Sequence, residues 1–232
     1  MRVELEPAYI LHTRAYRETS LLVYALTHQH GVMHMVCRGA RKKGLHYLQP
    51  FIKMHLSWSG KGDLVSLNKY ESEKSNYRND FRTHIQCFYL HELILALVPK
   101  MSPETELFSL YEHTLDAMSA HPQDEAVLRL FELELLDIVG HSLQLEHDIH
   151  HQPISTQAYY RYQPGIGPTE ISINHSVGHL PWDMVSGRLL KQLSLRALPE
   201  QDWSQAKSFL RGLIKYYMDG KPLMTRRLLS NK

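Results

Sequence analysis

Hydrophobic and polar positions alternate in short runs through the first 75 residues, then change to a helical period. The alternation predicts five strands, over residues 8–13, 21–27, 31–38, 51–58 and 64–70. The fourth run is the sharpest. Ile52, Met54, Leu56 and Trp58 share one face, while Lys53, His55 and Ser57 share the other, as a half-buried strand requires. Gln29-His30-Gly31 and residues 59–63 read as turns, and a longer basic connection, 39–50, separates strands three and four. Five short strands with an insertion after the third fit an OB-type barrel, although other small barrels share that count.

Beyond residue 75 apolar residues recur at helical spacing. Phe81, Ile85, Phe88 and Glu92 predict one stripe on a helix ending at Pro99. Ser102-Pro103-Glu104 reads as the start of the next, with Leu107, Leu110, Tyr111, Leu115 and Met118 inward. Asp124 opens a third helix with Val127, Leu128, Phe131, Leu135 and Ile138 inward, stopped by Gly140. Residues 141–180 are irregular, with a turn cluster at 164–168 that suits a short hairpin. Two more helices are expected near 184–198 and 203–218, the last ending before Asp219-Gly220-Lys221-Pro222. The expected class is therefore α+β: a barrel domain over 1–78, then a helical domain over 79–232 with 141–180 as an irregular insert.

Composition removes several classes. The 232 residues are 43% hydrophobic and 22% charged, an ordinary globular balance. The longest apolar run, 93–98, is too short to cross a bilayer. The acidic start of the chain does not read as a secretory signal, so a cytoplasmic, nucleoid-associated protein is expected. Cys37 and Cys87 are the only cysteines and form no C-x-x-C pair, which excludes a disulfide framework and a cysteine zinc site. The net charge of +2 conceals a partition: +6 over residues 1–82, −10 over 83–150 and +6 over 151–232. Two basic ends around an acidic middle suit a polyanion touching both ends; charge clusters on solvated helix faces would read the same way.

Candidate chemistry concentrates in three places. Arg41, Lys42 and Lys43 lie between Gly39 and Gly44, with Arg38 just before them, in a loop at the barrel mouth suited to phosphate contact, with Tyr47 and Phe51 near for base stacking unless Phe51 is core. Lys207, Arg211 and Lys215 recur every four residues, followed by Lys221, Arg226 and Arg227, as a second track or as an ordinary polar helix face. His147, His150 and His151, with His175 and His179 farther on, have no metal-ligand spacing. G-x-S-x-G, a Walker glycine loop and G-x-G-x-x-G are all missing from the sequence. No catalytic residue, metal or cofactor is expected, and the protein reads as a non-enzyme. An OB-fold RNA-binding module and a histidine-site, metal-dependent hydrolase are the alternatives.

With these residues identified, the chain resembles the bacterial RecO family of recombination mediators over essentially its whole length. The likeness rests on Tyr9 through Leu22, Gly31 through Arg41 and Leu48-Gln49-Pro50-Phe51 in the first part. It continues at Leu128 through Leu136, at Gly140, and at Gly220-Lys221-Pro222-Leu223 with Thr225-Arg226. The resemblance implies a DNA-handling protein that binds single- and double-stranded DNA and anneals complementary strands. It also implies that, with RecR, the protein loads RecA onto DNA coated by the single-stranded-DNA-binding protein, whose acidic C-terminal tail it recognises. Carried over by position, Arg14, Arg38, Arg41, Lys42 and Lys43 would contact phosphates on the barrel. Lys207, Arg211, Lys215, Lys221 and Arg226 would form the C-terminal track, and Arg129 would meet the tail carboxylate. Many family members carry a four-cysteine zinc module after the Gly140 position; this chain has no cysteine there.

Overall fold

The computed structural model describes residues 1–43, 48–73, 81–172 and 180–225, with Lys42 and Lys43 placed by backbone alone. The chain divides into two compact units, Met1–Ala120 with the segment from Leu223 onward, and His121–Pro222. The class is α+β: a five-stranded barrel followed, among the described residues, by a region of five α-helices.

In the first unit, β1 (Arg2–Tyr16), β2 (Ser20–Thr27), β3 (Gly31–Cys37), β4 (Lys53–Ser59) and β5 (Val65–Ser72) close in the order β1-β2-β3-β5-β4. A short helix, α1 (Ala40–Lys43), follows β3. All neighbouring strands are antiparallel except β3 and β5. The period-two pattern is realised: Val23, Ala25, Met33, Met35, Met54, Leu56 and Trp58 fill the interior. β1 is much longer than its alternation predicts, because bulges interrupt it. Register shifts fall between Val3 and Glu6 and between Ile10 and His12, with Leu5 at φ +51°. Ser57, expected outward, is nearly buried and accepts from the Leu5 N–H at 3.0 Å.

Two helices complete this unit, α2 (Phe81–Leu97) and α3 (Thr105–Ala120). The predicted Phe81–Ile85–Phe88–Glu92 stripe is not the buried face: Phe81 is 71% and Phe88 42% exposed. Of that stripe only Ile85 is among the buried residues, which otherwise centre on Tyr89, Leu90, Leu93 and Ile94. α3 also starts later than Ser102 implies. Lys100 bridges to Val32, Met101 N–H donates to the Val32 carbonyl at 3.1 Å, and a Cβ on Gly31 would lie 1.8 Å from the Ser102 carbonyl oxygen. These contacts with β3 keep 100–104 out of the helix, and Ser102 Oγ donates to Glu104 rather than capping it.

Polar ties join α2, α3 and β1. His91, buried on α2, donates from Nδ1 to the Leu11 carbonyl at 2.9 Å and accepts at Nε2 from the Tyr111 hydroxyl. Glu112 on α3 accepts from Tyr9 at 2.9 Å and pairs with Lys53 at 2.7 Å. Burial and the facing Glu112 carboxylate raise the Tyr9 phenol above its ordinary value. Met224 and Thr225, the last described residues, are also bound here. Glu92 on α2 accepts from the Met224 and Thr225 backbone N–H groups and from the Thr225 hydroxyl, the last at 2.6 Å.

The second unit contains α4 (Glu125–Ile138), a sheet of β6 (Tyr159–Gln163), β7 (Gly167–Ile171) and β8 (Met184–Ser186) in the order β7-β6-β8, then α5 (Gly187–Ser194) and α6 (Trp203–Tyr217). Asp124 caps α4 as expected, accepting from Ala126 N–H at 2.8 Å. Gly140, at φ +81°, ends it, with the His141 N–H returning to the Leu136 carbonyl at 2.8 Å. The expected hairpin at 164–168 joins β6 to β7. The helix expected from 184 instead begins at Gly187, because Met184–Ser186 pairs with β6 and Ser186 Oγ accepts from Leu189 N–H at 3.2 Å. On α6 a Cβ at Gly212 would lie 2.1 Å from the Trp182 ring, so only glycine admits that indole.

His91 supplies a test of the first unit. Burial pushes its pKa down to about 3, so the folded state holds the ring neutral. The unfolded chain binds that proton below about pH 6.5. Stability from this group is therefore full above that pH and falls by about 1.4 kcal/mol per unit as pH drops toward the folded value. Urea midpoints of the wild type and His91→Gln between pH 7 and 5 check this: the variant is expected to show the shallower pH slope, and parallel slopes would refute the assignment.

Candidate nucleic-acid interface

Strand parity decides which barrel residues face outward. Val23 and Ala25 point to the core, so Leu22 and Tyr24 of β2 point away from it. Their cross-strand partners share that face: His12 and His34 beside Tyr24, and Arg14 and Val36 beside Leu22. Tyr16, opposite Ser20, continues the parity on β1, and Arg38 continues it one residue past β3. Arg14 and Arg38 are both exposed, and the Arg14 guanidinium lies 5.9 Å from the Tyr24 ring centroid. The β1–β2 turn adds Arg17, exposed, at φ +52° and 5.2 Å from the Tyr16 ring.

The other expected contacts separate by what already holds them. Arg41 is exposed on α1, yet its Nη1 donates to the carbonyls of Arg17 at 3.3 Å and Glu18 at 3.0 Å. It braces the β1–β2 turn. The side chains of Lys42 and Lys43, together with Tyr47, lie outside the described residues. Phe51 is core, 5% exposed, and packs edge-on against Phe88 with centroids 4.9 Å apart.

On α6 the expected stripe does not stay on one surface. Positions four apart rotate by about 40° each step, so the stripe drifts around the helix. Lys207 is held by Glu125 of α4 at 3.0 Å, Arg211 is half-buried, and Lys215 is exposed. Lys221 is exposed past the helix end, and Arg226 lies outside the described residues. Arg129 is 2% exposed on α4 and pairs with the fully buried Glu132 at 2.7 Å. A carboxylate arriving from solution would reach it only if the packing around α4 opened.

The histidine-rich segment is organised by an acid rather than by a metal-like cluster. Asp148, buried, accepts from the His150 and Gln152 N–H groups, each at 2.8 Å. His147, His150 and His151 are exposed around it; His175 and His179 lie outside the described residues. Among the described residues no three His, Cys, Asp or Glu side chains converge as a metal site. No helix among them is long and apolar enough to cross a membrane.

Strand order, barrel closure and the following helices define the class, an α+β protein built on an OB-type barrel. Two family models match consecutive parts of the chain, recombination protein O N terminal over residues 1–76 and recombination protein O C terminal over 78–227. Full-length similarity agrees. A protein of Nitrosococcus oceani named DNA repair protein RecO is 38% identical, covering 99% of this chain and 94% of its own. Its namesakes in Methylococcus capsulatus and Pseudomonas paraeruginosa are 35% and 32% identical, each over 98% of this chain and over 93% and 95% of their own lengths. The chain belongs to the recombination protein O (RecO) family.

The buried pair on α4 gives a prediction independent of any ligand. Removing Glu132 takes the carboxylate from a guanidinium held in a low-dielectric interior, at a cost of about 3–5 kcal/mol. Glu132→Leu is expected to lose that much, whereas adding Arg129→Met recovers part of it. Urea denaturation of both singles and the double should return a coupling of about 1–3 kcal/mol; strictly additive losses would show that the pair is not energetically coupled.

Proposed function

We propose that this chain is a DNA repair and recombination mediator that binds single- and double-stranded DNA and anneals complementary strands. In this reading it acts with RecR to load RecA onto DNA coated by the single-stranded-DNA-binding protein, engaging that protein's acidic C-terminal tail. The observation that carries it is family membership over nearly the whole chain, joined to an OB-type barrel whose outward face presents Arg14 and Arg38. Annealing needs a surface that neutralises two polyanions without reading their bases, and exposed guanidinium groups do that by displacing condensed counterions. No covalent chemistry is required.

Within the proposal the cations have unequal parts. Arg14 and Arg38 are the barrel's principal phosphate contacts, with Lys42 and Lys43 beside them in sequence. Lys215 and Lys221 serve the second unit in preference to Lys207, whose ammonium is occupied by Glu125. Arg41 acts chiefly on the turn that carries Arg17. Tail recognition through Arg129 requires local opening of its site, which ties partner binding to the α4 ion pair.

Fluorescence anisotropy against a labelled single strand, with a fluorescence assay of strand annealing, tests the reading. Affinity is expected to fall steeply with salt and to depend little on sequence. Arg14→Ala with Arg38→Ala should weaken binding to all sequences alike and reduce the logarithmic salt slope by about 0.7 per lost single-strand contact. Lys207→Gln should leave affinity nearly unchanged. Binding indifferent to ionic strength, or no retention of DNA at low salt, would overturn the proposal; RecR and tail-peptide titrations test the partner steps separately.

A further inference from the structure

The outward face of the first three strands carries a feature that phosphate contact does not use. His12, Tyr24 and His34 are successive cross-strand partners on β1, β2 and β3, so their rings form one row across the sheet. The His12 and Tyr24 centroids are 5.6 Å apart at 44°, and those of Tyr24 and His34 are 4.4 Å apart at 70°. His12 is exposed, and Tyr24 and His34 are partly so. The barrel core lies on the opposite side and takes nothing from these rings.

Cations border the row. Arg14 stands one step along the same face, 5.9 Å from the Tyr24 centroid. Partial burial lowers the His34 pKa; the charges of Lys100 and Arg14 act in the same direction, opposed by Asp63. Flat rings among positive charges on a barrel face have the chemistry of a binding surface for unpaired bases. Each base has a π-face that stacks on a ring whatever its identity, and the phosphate beside it needs a cation. A duplex hides those faces within its own stack.

We propose that His12, Tyr24 and His34 form a stacking platform for the unpaired bases of single-stranded DNA, with Arg14 holding an adjacent phosphate. This rests on the nucleic-acid reading above and adds to it a component of affinity that salt does not remove.

The test compares two labelled strands of equal length on the full-length protein, an oligothymidylate and its abasic counterpart with the same phosphates. The wild type is expected to prefer the base-bearing strand roughly 5- to 100-fold. Tyr24→Leu with His12→Ser should abolish that preference by lowering affinity for the base-bearing strand to that of the abasic one. Tyr24→Phe should retain the preference, and His12→Ser alone, at an exposed position, should reduce it in part. Equal wild-type affinity for both strands overturns the platform while leaving the proposed function standing, as does an undiminished preference in the folded double variant. If neither strand is held at low salt, the nucleic-acid reading falls and the platform falls with it.

Discussion

β1 pairs with β4 through its first half and with β2 through its second, so one strand forms the seam of the barrel. Closure needs that strand to bend between partners, and its two register shifts accommodate the change of direction. The rest of the first unit follows from this constraint. Once β1 is placed, His12, Arg14 and Tyr16 face outward beside β2, while Ala8 and Ile10 contribute to the interior. Leu11 and Tyr9 then bond the helices, through the buried His91 and through Glu112. A barrel closed in this way has no open edge among these strands, and its usable surface is a face with fixed side-chain parity.

Positive charge takes two physical roles in this chain. Lys53 and Lys207 are paired with Glu112 and Glu125 and hold elements together, while Arg129 is paired with Glu132 one turn along the same helix. Arg14, Arg38, Lys215 and Lys221 stand exposed. A guanidinium already bonded to two carbonyls, as in Arg41, shapes the turn that presents its neighbours more than it adds charge to the surface. A basic residue is thus a candidate contact according to what surrounds it, and net charge by segment does not distinguish the two roles.

Much of the architecture was legible because periodicity is a local property. Met54, Leu56 and Trp58 alternate with Lys53 and His55, and the strand forms with those three residues buried. Asp124 and Gly140 bound α4 through hydrogen bonds between residues at most five positions apart. Expectation failed where distant contacts won. Ser102 carries the sequence of a helix cap, but its carbonyl packs against Gly31 and the helix starts at Thr105. Met184 through Ser186 continue a helical pattern into a strand because β6 offers an edge. Phe81 and Phe88 look like core residues, yet lie beside the buried face of α2.

The candidate site was legible as residue types and only partly as an arrangement. Arg14 and Arg38 stand out in the sequence as cations, whereas the His12–Tyr24–His34 row joins residues 10 to 12 positions apart. Side chains on neighbouring strands meet only through register, and register depends on bulges and turns along the whole sheet. By itself, then, the sequence determined the strand and helix periods, most element ends, the overall class and the inventory of charges, because each depends on neighbours along the chain. Only the tertiary structure decided which cations are committed to carboxylates, which aromatic rings share a face and where β1 bends. Those outcomes depend on burial and cross-strand pairing, which arise only when the chain closes on itself.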